Sequence, residues 1–510
     1  MTDIANEQSK FLRNIASLTG ALATSMPSPL KTSCAADNAI LTNLSAVQAV
    51  TAMWQGDITA EKYAAALLER CEALQRLNAF ISLDKHQVLR KARAADKLRA
   101  TKATLGLMHG LLVAVKDSIN TKDLPTSAGT PALRGFRPKE NAPVAEALFR
   151  KGAILLGKTN LHELSYGWTS NNSAFGPVHN PYDTSRISGG STGGTAAAVA
   201  ARMVSSGLAV DTCGSIRVPA ALCGIAAFRP TTGRYPAQGI FPITPHFDTP
   251  GSHARCVADL LLYDAAITHD AAPPNVPSLE GIRLGISPEH FLTGLDCEVD
   301  QVFNKAIERL SNAGAVFVRA DIPNITKLLN AVTFPIQFYD AMRSLEEYLR
   351  TSGAGLNAEQ VYAGVESPRV KHDINVCFRP GGKYHSSAEV YRAAVFTHRP
   401  ALQETMHRYF AAQNITALVH PPTLCPASKI GEEIEIEING QKQRLNGPYA
   451  RNISAASCVG MPGLVLPAGM TTAGLPVGIE FDALPGKDRM LLELGFGLEN
   501  TLGHIPAPTL

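Results

Sequence analysis

Between residues 186 and 230 more than half of the positions are Gly, Ser, Thr or Ala, around one helical stretch, Thr195 to Met203. Side chains this small let backbone segments approach closely. Any fold that accepts this chain must therefore bring several backbone layers together here. On either side, short apolar runs such as Leu111 to Val115 and Ala153 to Leu156 are separated by Gly- and Pro-bearing loops and by helices such as Ala142 to Arg150. That alternation predicts an α/β sheet with helices on its faces.

Upstream, Ser45-Ala-Val-Gln48 has the form of a capping box opening a helix toward Trp54, which Gly56-Asp57 ends. A second helix starts near Thr59, with Tyr63, Leu67, Leu68, Cys71 and Leu74 at helical spacing. The chain divides into an N-terminal extension (1–36) and one large domain (37–510). Within the domain lie leading helices (37–100), a core (105–260), a segment of longer amphipathic helices such as Asp300 to Ala313 and Gln337 to Leu349 that walls a pocket (270–410), and a C-terminal return to the core (415–505). Glu433-Ile-Glu-Ile-Glu-Ile438 followed by Asn439-Gly440 predicts a hairpin with a type I′ turn and a solvated acidic face.

Bulk properties exclude several classes of function. Of 510 residues 45% are hydrophobic and 18% charged, and a net charge of +3 gives no reason to invoke a polyanionic partner. Nine scattered cysteines form no C-x-x-C pair, which argues against a disulfide framework or a zinc site and for a reducing, cytoplasmic setting. No apolar run reaches 18 residues, and Ile15 to Ala23 is too short and too interrupted by Ser, Thr and Gly for a secretory signal.

Two motif matches mislead. Gly152-Ala-Ile-Leu-Leu-Gly157-Lys158-Thr159 fits the phosphate-loop pattern, but a phosphate cradle needs inward-turned N–H groups and Ala153 to Leu156 suits a buried strand. Gly189-Gly190-Ser191-Thr192-Gly193 fits a nucleophile elbow, which a strand must enter, yet Asn180 to Arg186 is turn-rich. None of His246, His253 and His420 sits in a recognisable triad setting.

A third constellation is more specific. Lys116 ends the run Leu111 to Val115, Ser191 lies in the glycine-rich stretch, and 24 residues later comes Asp211-Thr-Cys-Gly-Ser215-Ile-Arg217-Val-Pro219. With Gly110 to Asp117, Gly157 to Glu163, Phe175-Gly176, Asn180-Pro181, Pro467-Ala-Gly469 and Gly474 to Gly478, the chain resembles the amidase signature enzymes over roughly residues 45 to 500. The resemblance implies a single large α/β domain whose mixed central sheet is covered by α-helices on both faces. It further implies Lys116 as base, Ser191 as relay after a cis Gly190-Ser191 peptide, and Ser215 as nucleophile. Backbone N–H groups of Thr212, Cys213, Gly214 and Ser215 are the implied oxyanion hole, with Asp211, Arg217 and Gly190 in support and no metal or cofactor.

The chemistry suits these residue types. A serine hydroxyl needs a partner to take its proton, and lysine can do so only as the neutral amine, which burial away from anions favours. Asp117 need not oppose this, because neighbours on a strand point to opposite faces. A hydroxyl both donates and accepts, so Ser191 can pass a proton.

Thr192 and Thr195 depart from the family pattern but keep hydroxyls; Cys213 replaces a glycine and narrows the acyl pocket; Arg229 replaces a lysine without expected consequence. The region from Ala227 to Gly251 is most similar to arylacetamide hydrolases acting on indoleacetamide or mandelamide, so the expected substrate is a small primary amide with an aromatic or hydrophobic acyl part. Phe175, Phe241, Phe334, Phe338 and Tyr339 are the expected pocket lining. Alternatives are the glutaminase subunit of a tRNA-dependent amidotransferase, or hydrolysis of other amides or esters. No nucleic-acid or membrane partner is expected, and a homodimer stays open.

Overall fold

The computed structural model describes residues 2–17 and 34–510. Thirteen strands carry the description: β1 Phe80–Leu83, β2 Leu112–Lys116, β3 Ile154–Thr159, β4 Ser206–Asp211, β5 Ala226–Arg229, β6 Thr249–Ala254, β7 Arg283–Ile286, β8 Val316–Arg319, β9 Ala417–His420, β10 Glu435–Ile438, β11 Gln441–Arg444, β12 Gly463–Met470 and β13 Pro476–Asp482. Eleven form one mixed sheet in the order β1-β3-β2-β4-β6-β5-β12-β13-β9-β7-β8. Its parallel pairs are β2/β3, β2/β4, β7/β8 and β7/β9. Every residue of β2 through β6, β9 and β13 is buried, which requires cover on both faces of the sheet.

Two strand pairings decide where chemistry can gather. β4 and β5 both run antiparallel to β6, so they are parallel to each other, and β2 is parallel to β4. The C-terminal ends of β2, β4 and β5, occupied by Lys116, Asp211 and Arg229, therefore lie at one end of the sheet. Gly463 pairs with both Arg229 and Asp482, which brings the end of β13 to the same place.

Local signals behave as the sequence predicts near the start. Ser45 caps Ala46–Gln55 with a full capping box, Gly56 ends it at φ 84°, and Thr59 caps Ala60–Ala73. The helix of the glycine-rich segment runs Gly193–Ala200, starting two residues and ending three residues before the expected Thr195 to Met203. Gly194 is obligatory there, since a Cβ would lie 2.3 Å from the Asn160 carbonyl oxygen and 2.6 Å from that of Ala79. Asn439 and Gly440 take φ of 51° and 76°, so the β10–β11 hairpin has its type I′ turn.

Elsewhere the structure corrects the reading. The boundary at residue 36 falls inside the helix Cys34–Asn43, and Phe11, Leu12 and Ile15 of the helix Thr2–Ser17 are buried in the main core. From Leu18 onward the Ile15 to Ala23 stretch lies outside the described residues. The leading helices enclose a strand, β1, that edges the sheet, and the segment 270–410 contributes β7 and β8 to its other side. These strands are only four residues long, too short to impose a readable period. Among the described residues no helix is long and apolar enough to cross a membrane, and the eight cysteines from Cys71 to Cys458 are free.

Candidate active site

Lys116 closes β2 with its side chain fully buried, and its Nζ lies 2.7 Å from Ser191 Oγ. Burial lowers the ammonium pKa to about 7, against the opposing pull of Asp211 and Asp248. The adjacent Asp117 turns away: it pairs with Lys158 Nζ at 3.0 Å and accepts the N–H of Ser127 at 2.9 Å. Lys158, the lysine of the misleading phosphate-loop match, thus lies on the buried strand β3 as the counter-ion of Asp117.

Ser191 follows a cis Gly190-Ser191 peptide, and its carbonyl accepts from the His162 N–H at 3.1 Å and from Ser170 Oγ at 3.3 Å. Thr192 donates to the Val210 carbonyl at 3.2 Å, and Thr195 shares a 2.7 Å hydrogen bond with Thr159, so both keep a hydroxyl contact. No strand enters Ser191, as the turn-rich approach predicts.

Ser215 sits in the turn after β4, which the Asp211 carboxylate organises. Asp211 accepts the N–H groups of Gly214 at 2.9 Å and Ile216 at 3.0 Å, and a two-pronged contact from Arg217 at 3.1 Å on each oxygen. Arg229 Nη1 adds 2.8 Å contacts to Asp211 Oδ1 and to its carbonyl. Burial opposes the charge, yet Arg217 and Arg229 hold the Asp211 carboxyl well below the usual range. Arg229, noted in the sequence only as replacing a lysine, is the second buried cation of this clasp. Its role was hidden because β5 and β4 are separated in the sheet by β6.

The oxyanion-hole expectation also needs correction. The Gly214 N–H is committed to Asp211, while those of Thr212, Cys213 and Ser215 donate to no described residue. Gly214 instead supplies the turn, at φ 95°. Asp248, given no role of its own from the sequence, fixes Thr212 by accepting a 2.5 Å hydrogen bond from Thr212 Oγ1, and burial raises its carboxyl to about 6. Cys213 Sγ lies 3.4 Å from Ser454 Oγ and burial raises its pKa, so the thiol is held in its neutral form; its carbonyl accepts the Trp168 indole N–H at 2.8 Å.

Thr212, Cys213 and Ser215 line a cavity of about 500 Å³ whose apolar wall is Tyr166, Trp168, Ile243, Phe334, Phe338 and Phe378. Ser215 Oγ makes no hydrogen bond to a described residue. Of the five expected pocket aromatics, Phe334 and Phe338 line the cavity, one helical turn apart with ring centroids at 5.3 Å. Tyr339 does not: one residue further on the helix it points about 100° away and stacks on Tyr391 at 4.1 Å. Phe241 packs on Tyr348 at 5.6 Å, and Phe175 lies under the Arg134 guanidinium at 4.7 Å, neither on the cavity.

The hairpin is more than a solvated face. Glu433 accepts from Thr169 Oγ1 at 3.0 Å and Asn171 Nδ2 at 3.1 Å, and Ile434, Glu435 and Arg444 line the cavity. Among the described residues, one group of metal-type donors comes together, His420, Glu480 and Asp482. There Arg217 Nη1 contacts Glu480 at 2.7 Å and His420 contacts Asp482 at 3.0 Å, so protein charges face each other.

The amidase family profile matches residues 63–492. The chain belongs to the amidase family. It is an amide C–N hydrolase. This amidase is 40% identical over 439 residues to an indoleacetamide hydrolase of Rhizobium radiobacter, covering 86% of this chain and 92% of that one. It is 36% identical over 466 residues to a mandelamide hydrolase of Pseudomonas putida, covering 89% and 90%. Among solved structures it is similar to the peptide amidase of Stenotrophomonas maltophilia, with a TM-score of 0.73 and 28% identity, over 91% of this chain and 98% of that one.

Proposed function

We propose that this amidase hydrolyses a small primary carboxamide with an aromatic acyl part, releasing the carboxylic acid and ammonia through an acyl-enzyme on Ser215. The observation that carries the reading is the 2.7 Å contact of a fully buried lysine, lowered to about 7, with a serine hydroxyl. Ser215 Oγ attacks the carbonyl carbon. Its proton passes to Ser191, and the Ser191 proton passes to neutral Lys116. The second link of that relay forms as substrate engages, since catalytic hydrogen bonds tighten in the Michaelis complex. The N–H groups of Thr212, Cys213 and Ser215 receive the oxyanion. When the C–N bond breaks, Lys116 returns its proton through Ser191 to the departing nitrogen, and water repeats the cycle on the ester.

The aromatic wall of the cavity and the aryl amides for which the two relatives are named support the acyl preference. The test is ammonia release from indoleacetamide, mandelamide, phenylacetamide, acetamide and glutamine by the purified chain. Efficient turnover of glutamine with none of the aryl amides would sink the proposal.

Because the base must be neutral, kcat/KM should climb about tenfold per pH unit below 7 and stop climbing by about pH 8. A profile flat from pH 5 to 8 would contradict the lysine base. Phe338→Ala should raise KM for an aryl amide roughly 10-fold or more, the worth of burying a ring. Turnover of acetamide, which does not reach that wall, should be unchanged.

A further inference from the structure

Six ionisable side chains behind the nucleophile turn are fully buried: Asp211, Arg217, Arg229, His420, Glu480 and Asp482. Arg217 joins the two halves, with two nitrogens on Asp211 and Nη1 on Glu480. The proton count of the far half follows from geometry. His420 Nδ1 lies 3.1 Å from the Pro421 carbonyl, which only accepts, so Nδ1 carries a hydrogen. Its Nε2 lies 3.0 Å from Asp482 Oδ2. With Nδ1 already protonated, a hydrogen bond there needs one more proton, on Nε2 or on the carboxyl.

Charge balance asks for the same proton. Three carboxylates face two guanidiniums, and one added proton makes the buried set neutral. Without it a single negative charge is stranded where water does not reach, and Glu480 Oε2 and Asp482 Oδ1 already lack any hydrogen-bond partner. Beyond these six, Lys116 and Asp248 act on the Asp211–Arg229 end, and beside His420 lies His290, whose pKa burial and the neighbouring Arg451 and His420 lower to about 4; the Arg451 guanidinium itself bonds Asn452 Oδ1 at 3.1 Å and the Phe291 carbonyl at 3.4 Å. His290 is therefore neutral above pH 6 and adds no charge.

We infer that His420, Glu480 and Asp482 hold one proton in the working enzyme, and that this proton keeps Arg217 on Asp211 and so positions the nucleophile turn. The inference rests on the Ser215 reading above and adds a positioning device to it. Burial and the nearby Asp482 push the Glu480 carboxyl up to about 8, and His420 is raised by its two acidic neighbours although burial opposes it. A group whose folded pKa lies above its unfolded one stabilises most at low pH and loses that contribution as pH rises through the folded value. The clasp should therefore loosen through about pH 8, above the titration of Lys116.

Trp168 is a built-in reporter, because its indole N–H bonds the Cys213 carbonyl in the turn. The sequence holds one other tryptophan, Trp54, so Trp54→Phe isolates the signal. In that background Trp168 emission should show a transition near pH 8 with a matching fall in the thermal midpoint. Glu480→Gln takes one negative charge from beside the His420–Asp482 pair, so the shared proton leaves at lower pH and the transition should vanish from the window between pH 7 and 9.5.

Glu499, a separate buried carboxyl also raised to about 8, is the control: Glu499→Gln should keep the transition. An unchanged transition in Glu480→Gln, its loss in Glu499→Gln, or a stoichiometric metal ion bound at the cluster would each overturn the inference. Since emission and thermal midpoint are read without substrate, failure of the Ser215 mechanism would leave this result standing, and the reverse holds too.

Discussion

Ser215→Ala should lower kcat by roughly 10⁴-fold or more while leaving the thermal midpoint within a degree or two of the parent. The activity loss follows from removing the atom proposed to form the covalent intermediate, a loss of the size seen when any one nucleophilic partner is deleted. The stability is spared because Ser215 Oγ bonds no described residue and borders the cavity, so no buried partner is orphaned. Intact-mass measurement after brief exposure to a slowly released ester should find the acyl group on Ser215 in the parent and none in the variant. Ser191→Ala should also be slow, but its residual label should stay on Ser215, which separates relay from nucleophile. Cys213→Ala should keep most activity, because burial holds that thiol neutral. Retained turnover in Ser215→Ala would end the assignment.

The largest loss of stability is expected from Arg217→Met, at about 3–5 kcal/mol. Arg217 is fully buried and bonds Asp211, Glu480, the Ile453 carbonyl at 2.9 Å and Ser457 Oγ at 2.6 Å. Methionine fills much of the volume but leaves Glu480 without a cation and Asp211 with Arg229 alone. Thermal and urea unfolding of the single variant, set beside Arg217→Met/Glu480→Leu, isolates the cause. Part of the loss should return in the double variant, because the stranded carboxylate is gone. If the double variant is weaker by the sum of the two single losses, packing rather than charge explains the effect.

Legibility followed interaction range. The helix starts at Ser45 and Thr59 and the hairpin turn at Asn439-Gly440 were readable because a cap or a type I′ turn is settled within four residues. The two deceptive motifs could be dismissed from local texture alone, since the apolar residues of β3 and the turns before Ser191 are adjacent in the chain. The pocket lining was read poorly. Phe334 and Phe338 were picked with Tyr339, yet which side of a helix meets a cavity depends on what packs against it. Tyr166, Trp168 and Phe378 carried no signal, being ordinary aromatics until the fold brought them beside Ser215.

The same division holds at the nucleophile turn. By itself the sequence determined the family and the α/β class, and through the resemblance it singled out Lys116, Ser191 and Ser215 as candidates, because each motif is a short contiguous string. Only the tertiary structure decided the surroundings: that Gly214 gives its N–H to Asp211, that Arg229 is a second buried cation, and that Glu480 reaches Arg217 across 263 residues. Those partners come from β4, β5 and β13, and a charge removed from water is compensated by whatever the sheet order places beside it, which no local pattern records.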